Sequence, residues 1–173
     1  AALGAPYTLR TTLGLESTTS APASIATLAT TTAKGAGVSS LSWSHTVAAG
    51  TNRLLLVTTT HRDGNKQVSA VTYGGVALTA HVSAGTGENR AGIYYLVNPP
   101  VGTATVHVAM SSGGHVAAAA TTFTGVDPVT PLSAGASSTG SGTSASVALP
   151  SAADSVVISA VAANGDAGSL TLL

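Results

Sequence analysis

The chain has 173 residues, with six Lys+Arg, six Asp+Glu, five His and no Cys. This length suits one domain that can bury a core without disulfides. The formal net charge is zero, which argues against nucleic acid or an anionic membrane as the main partner, because both bind basic surfaces. No run of 18 apolar residues occurs, so the sequence predicts no membrane-spanning segment.

Hydroxyl side chains replace charged ones in this composition. Ser and Thr number 21 and 26, Gly adds 20, and only 7% of the residues are charged, against about a quarter in an ordinary domain. Such a composition is typical of β-rich proteins outside the cell, so we expect an extracellular or cell-surface location. The chain starts with Ala and has no basic-then-apolar leader. We therefore expect a mature form without its signal peptide or, alternatively, an excised piece of a longer protein.

Short runs rich in β-branched and aromatic residues predict strands in the first half of the chain. One run alternates strictly and places Leu41, Trp43, His45 and Val47 on one face, as a half-buried strand requires. The run 54–57 is apolar on both faces, which predicts a central strand. The strands predicted in this half are 25–32, 41–47 and 54–60.

Turn residues divide the rest of the chain. Gly74 and Gly75 separate two strand-like runs and predict a two-residue hairpin, because a type I′ turn needs positive φ at both positions. Pro99 and Pro100 cannot donate to a ladder, so they predict the end of a strand. The Ser/Gly/Thr/Ala-rich stretch 133–146 predicts a long loop. The strands predicted in this half are 68–73, 76–82, 93–97, 103–110, 115–124, 146–149, 155–161 and 169–173.

About ten or eleven short strands at hairpin spacing predict an all-β fold. The natural packing is a two-sheet antiparallel β-sandwich, jelly-roll-like in topology. No amphipathic stretch is long enough to predict a helix. The predicted organisation is an extended N-terminal strand at 1–16, a Ser/Thr/Ala/Pro linker at 17–24 and a β-sandwich domain at 25–173.

Four motifs occur in a fixed order: LSWSHTV at 41–47, VTYGGVAL at 71–78, YLVNPPVGTATV at 95–106 and FTGVDPVTPL at 123–132. This pattern resembles a β-sandwich domain found in many secreted and cell-surface proteins of bacteria and archaea, over roughly residues 24–173. The resemblance implies the sandwich fold and supplies no catalytic motif. Domains of this kind usually continue with further strands beyond the position of Leu173, so the resemblance implies that this sandwich is incomplete by itself.

The first 16 residues alternate between an apolar face and a small or polar face. A strand left in water with such a face forgoes about 1 to 3 kcal/mol for each large apolar side chain and leaves its backbone unpaired. We interpret it as a donor strand that adds to a neighbouring subunit, a head-to-tail contact that builds filaments. The alternatives are a first strand of the same molecule's sandwich and a disordered remnant. The predicted subunit-interface residues are Leu3, Ala5, Tyr7, Leu9, Leu13 and Leu15.

The sequence offers little catalytic chemistry. It has no Gly-x-Ser-x-Gly elbow and no cysteine nucleophile, and its histidines lack metal-ligand spacing. We predict no enzymatic activity, no cofactor and no metal site. His45 is expected to pack in the core and to donate to a backbone carbonyl. Tyr73, Tyr94 and Tyr95 could stack on a sugar, although core or edge packing is the favoured interpretation. Tyr94 and Tyr95 must point to opposite faces.

These observations favour a secreted, non-enzymatic structural subunit that polymerises with itself into a filament or pilus by donor-strand complementation. The second hypothesis is a carbohydrate-binding or adhesive surface module, and the third is a virion decoration protein that also uses a detached N-terminal arm.

Overall fold

Seven antiparallel strands form the fold in the computed structural model, which describes residues 24–62, 66–86, 88–139, 146–150 and 154–162. Every strand pairing is antiparallel, and no helix occurs within these ranges. The predicted all-β class is therefore confirmed. The strands are β1 (Ala26–Val47), β2 (Leu54–Arg62), β3 (Val68–Tyr73), β4 (Val76–Ala77), β5 (Thr79–Thr86), β6 (Asn89–Val97) and β7 (Gly102–Thr124).

Hydrogen bonds join all seven strands into one sheet in the order β4-β3-β7-β2-β6-β5, with β1 on β7. The long strand β7 pairs with β1 from Val47↔Gly102 to Ala26↔Thr124. Along its other edge β7 pairs first with β3 and then with β2. The sheet thus has a β3 half (β4, β3 and the strand parts 102–110 and 40–47) and a β2 half (β5, β6, β2 and the strand parts 115–124 and 26–35).

The long strands β1 and β7 pass from one half to the other through an irregular stretch. The pairing register shifts between Gly35 and Val38 and again between Val38 and Ser40, and such bulges bend a strand locally. A Cβ on Gly35 would lie 2.6 Å from Cγ2 of Val38 and 2.9 Å from Cδ2 of Leu41. Only glycine fits there without displacing these two side chains.

One hydrophobic core is shared by the two halves. Its buried residues include Leu55 and Val57 from the β2 half and Val71, Val106 and Val108 from the β3 half. Burying apolar side chains from both halves in one cluster is the main force that holds them together. The predicted division into two separate sheets is not established, because the hydrogen-bonded ladder is continuous.

The other face of the β2 half is also covered. Leu54, Leu56 and Phe123 form a second cluster, and Leu132 and Ile158 from the segments after β7 pack against it. Strand β2 lies between β7 and β6 and is buried on both faces. The central strand predicted from its two apolar faces is therefore confirmed.

The hairpin predicted at the two glycines is also confirmed. Gly74 and Gly75 have φ of 56° and 83° and connect β3 to β4, which pair as Tyr73↔Val76. The predicted strand 76–82 is divided at Leu78 into β4 and β5. The part of the predicted loop that the structure describes, 133–139, contains no strand.

Within the described residues, fewer strands occur than the sequence predicted. Apart from Ile25, the predicted strands 25–32 and 41–47 belong to the single strand β1, and 103–110 and 115–124 belong to β7. The glycine-containing stretches between them bulge rather than end the pairing. The described residues 146–150 and 154–162 form no strand. Both edges of β2 beneath the second cluster are already paired with β6 and β7, so Ile158 packs on its face instead. The predicted strand 169–173 lies outside the described residues.

The shared core predicts that alanine substitution of two valines has very different effects on the free energy of unfolding. Val57 is 0% exposed and Val101 is 55% exposed. We expect Val57→Ala to lower the free energy of unfolding by about 2 to 3 kcal/mol, because it removes two buried methylene equivalents and leaves a cavity. Val101→Ala should change it by less than about 0.5 kcal/mol. Urea unfolding of both variants measures the difference, and equal effects would contradict the proposed core.

Candidate functional site

A network of polar side chains is centred on His45, which is 1% exposed. Its Nδ1 lies 2.8 Å from Oγ1 of Thr31, and its Nε2 lies 2.7 Å from Oγ1 of Thr122. The indole Nε1–H of Trp43 donates to the same Thr31 oxygen at 2.9 Å. A hydroxyl can donate or accept, so both nitrogens of a neutral imidazole are satisfied. The predicted burial of His45 is confirmed, but its partners are threonine hydroxyls and not a backbone carbonyl.

This network connects the two halves of the sheet. Trp43 and His45 belong to the β3 half, whereas Thr31 and Thr122 belong to the β2 half. Sequence analysis missed both threonines. Thr31 and Thr122 lie on the core-facing side of their strands, so strand alternation could have identified them once β1 and β7 were known to pair.

Tyr73 belongs to the core. It is 1% exposed, its hydroxyl donates to the carbonyl of Gly102 at 2.7 Å, and its ring meets His45 edge to face, with centroids 6.2 Å apart. Burial raises the pKa of the Tyr73 phenol. A sugar approaching from solvent cannot stack on a ring in this position.

The other two tyrosines lie on opposite faces of β6, as their adjacent positions predict. Tyr94 packs against the shared core and Tyr95 against the second cluster. Burial raises the pKa of Tyr94, and the Thr59 hydroxyl opposes this rise. The ring of Tyr95 is edge-on to His81 at 6.0 Å. The three tyrosines therefore do not share one surface.

Strand β1 presents a long edge. Within the described part of the chain, β1 pairs with β7 and with no other strand. It spans 22 residues, contains no proline and has Lys34 as its single charged residue. Unpaired backbone N–H and C=O groups on such an edge can accept another strand. The predicted donor residues (Leu3, Ala5, Tyr7, Leu9, Leu13 and Leu15) lie outside the described residues.

The described ranges contain no group of three or more His, Asp or Glu placed to hold a metal ion. They also contain no helix of the length and apolar character needed to cross a membrane. Asp127 lies in the predicted turn after β7, where its Oδ1 accepts the N–H groups of Thr130 and Val129, each at 2.8 Å. These two hydrogen bonds lower the pKa of Asp127 and give it a structural role in the turn.

No protein-family model matches this chain, and no curated protein or solved structure is significantly similar to it. A functional hypothesis must therefore rest on the geometry of the strands and on the polar groups that they bring together.

The network predicts that the Thr31 hydroxyl is important for stability. Thr31→Val keeps the shape of the side chain but leaves the Trp43 indole and one His45 nitrogen without their partner. We expect the free energy of unfolding to fall by about 1 to 3 kcal/mol. Thr32→Val, on the outer face of the same strand, is the matched control and should change it by less than about 0.5 kcal/mol. Chemical denaturation distinguishes the two, and an unaffected Thr31→Val protein would contradict the network.

Two buried histidines predict a pH dependence. Burial lowers the pKa of His45 and of His61 below the ordinary value of 6.5. Below pH 6.5 the unfolded chain therefore binds more protons than the folded chain, so the free energy of unfolding falls as the pH falls. The slope is at most about 1.4 kcal/mol per pH unit for each histidine. Urea titrations between pH 8 and 5.5 should show full stability above pH 7 and a progressive loss below it.

Variants identify the histidines responsible for this slope. His45→Gln should reduce the slope of the free energy of unfolding between pH 7 and 5.5 by the part due to His45 and leave the part due to His61. Thr32→Val, which changes an exposed side chain without a titratable group, is the control and should leave the slope unchanged. If the slope is the same in the wild type and in His45→Gln, the assignment to His45 is contradicted.

Proposed function

We propose that this protein is an extracellular, non-enzymatic structural subunit that polymerises by strand addition. In this proposal, residues 3–15 of one copy pair with the free edge of β1 in the next copy. The observation that supports it best is that edge, which extends over 22 residues without a second partner among the described strands.

Natural proteins protect exposed strand edges with charges, prolines, bulges or short strands. Strand β1 has one lysine, no proline, one register shift between Thr27 and Ala29 and one irregular stretch near Gly35. These irregularities leave two regular segments, 29–35 and 40–47. Each is longer than the typical strand of about five or six residues. An added strand could therefore form a complete ladder on either segment.

The sequence before β1 suits the donor role. Residues 3–15 have an apolar face, and the linker 17–24 can extend to about 25 Å. A donor that leaves its own molecule makes a head-to-tail contact, and such contacts build open filaments rather than closed dimers. Because only 7% of the residues in the chain are charged, filaments could lie side by side with little repulsion.

The proposal also includes the jelly-roll-like sandwich topology. A core shared by the β2 half and the β3 half is the packing expected of a jelly-roll-like sandwich, in which long strands pass from one layer to the other. The carbohydrate-binding alternative lacks comparable support, since Tyr73 is buried and Tyr94 and Tyr95 face opposite ways. A virion decoration protein would use the same N-terminal arm, and no described feature favours it.

Deletion tests the donor segment. We expect the chain without residues 1–16 to stay folded but to form no polymers in electron microscopy or size-exclusion chromatography. A peptide of residues 1–16 should then bind the truncated protein. Leu9→Asp should abolish assembly, whereas Thr8→Asp, on the other face, should weaken it far less. Unchanged assembly of the truncated chain would refute the proposal.

Cysteine cross-linking tests the acceptor edge. The chain has no cysteine, so single-cysteine variants report contacts between molecules without background. A Thr8→Cys chain mixed with a Thr32→Cys or Ser44→Cys chain should form a disulfide heterodimer on mild oxidation. A Val76→Cys chain is the control, because Val76 is exposed and lies on β4, which β3 and β7 separate from β1 in the sheet. If heterodimers form equally well with Val76→Cys, the contacts are random and β1 is not the acceptor.

A further inference from the structure

The two regular segments of β1 differ in the side chains that they place on the core side of the sheet. In the segment 40–47 these side chains are Leu41, Trp43, His45 and Val47, and the residues between them are exposed serines and a threonine. In the segment 29–35 the core-side residues are two alanines, a threonine and a glycine. A strand added to the free edge of β1 would therefore meet large side chains at one segment and small ones at the other.

Trp43 is the member of the large row that stays partly uncovered. The other three side chains are buried, whereas Trp43 is only partly buried against the shared core. Its partner across the ladder is Val106, which is 0% exposed, and its indole N–H donates to Thr31 in the other half of the sheet. No described strand flanks Trp43 on the side away from β7. A strand that adds to this edge can therefore cover the rest of the ring.

The single Lys+Arg residue of β1 also distinguishes the two segments. Lys34 is exposed and lies in the segment 29–35, and a lysine on an edge strand opposes the approach of another strand. The segment 40–47 has no lysine, no arginine, no proline and no glycine. Its edge therefore lacks the residues by which proteins usually discourage strand addition.

We propose that the segment 40–47 is the acceptor for the donor strand, and that the apolar face of residues 3–15 from a second copy covers Trp43. This inference rests on the proposed strand addition and specifies where on β1 it takes place. Side chains on the same face of two paired strands lie directly beside each other. The apolar donor residues then lie beside the row that contains Trp43, and the small or polar donor residues lie beside Ser42 and Ser44 on the outer face.

The segment 29–35 suits this donor less well. There the apolar donor face would meet two alanines, a glycine and Thr31, whose hydroxyl is already bonded within the polar network. The other donor face carries Arg10 and would share the outer side of the sheet with Lys34. Large apolar neighbours cover more apolar surface than small ones, and the free energy gained by burial is proportional to that area. The hydrophobic contribution to strand addition is therefore smaller at this segment.

Tryptophan fluorescence tests the proposal, because Trp43 is the only tryptophan in the chain. The full chain with Leu9→Asp should not assemble but should keep its acceptor edge, so it can be titrated with a peptide of residues 1–16. Calorimetry measures the binding of the peptide independently of its position. At saturation we expect the Trp43 emission to move to shorter wavelength and its quenching by acrylamide to fall at least about twofold, as the ring leaves water.

The two measurements separate this inference from the proposed function. If the peptide binds while the emission and quenching of Trp43 stay unchanged, strand addition holds but the segment 40–47 is not the acceptor. If the peptide does not bind at all, the proposed function fails together with this inference.

Disulfide yields give a second comparison in otherwise unaltered full chains. Ser44 and Thr32 are both exposed on the outer face of β1, one in each segment. A Thr8→Cys chain should form several-fold more heterodimer with Ser44→Cys than with Thr32→Cys. Equal yields, or a higher yield with Thr32→Cys, would overturn the assignment of the acceptor to the segment 40–47.

Discussion

The antiparallel pairing of β1 with β7 is the constraint on which the rest of the structure depends. It runs through both halves of the sheet. The opposite edge of β7 is therefore long enough to pair with β3 and then with β2. The side chains of β2 and β3 can then meet in one core. The same pairing brings Thr31 and Thr122 to one network with Trp43 and His45. Loss of this pairing would remove the core and the network together.

Local patterns were sufficient to predict the features that depend on neighbours in the sequence. The alternation of 41–47, the two apolar faces of β2 and the Gly74-Gly75 turn are properties of a few consecutive residues, and the structure confirms them. The length of β1 and β7 could not be predicted in this way. A glycine such as Gly35 indicates a break when only its neighbours are considered, but here the ladder with β7 continues on either side and the strand bulges instead.

The hydrogen-bond partners of the polar groups could not be predicted for a similar reason, because they lie far apart in the sequence. His45 and Thr122 are separated by 77 positions, so the partner of the imidazole depends on the register of β1 and β7, which the sequence does not reveal. By contrast, the opposite orientation of Tyr94 and Tyr95 follows from the two-residue period of one strand, and it was predicted correctly.

The closed core has a consequence for the way in which a strand could be donated. Insertion between two layers needs a gap in the core, yet Tyr73, Val106 and Val108 are at most 2% exposed, and the bonds to Thr31 hold the two halves of β1 together. The network uses side chains, and among the described strands only β7 pairs with the backbone of β1. We infer that a donor strand would add to this edge without opening the core. Assembly would then leave the packing of each subunit intact, and its strength would come from the new ladder and from the apolar face of the donor.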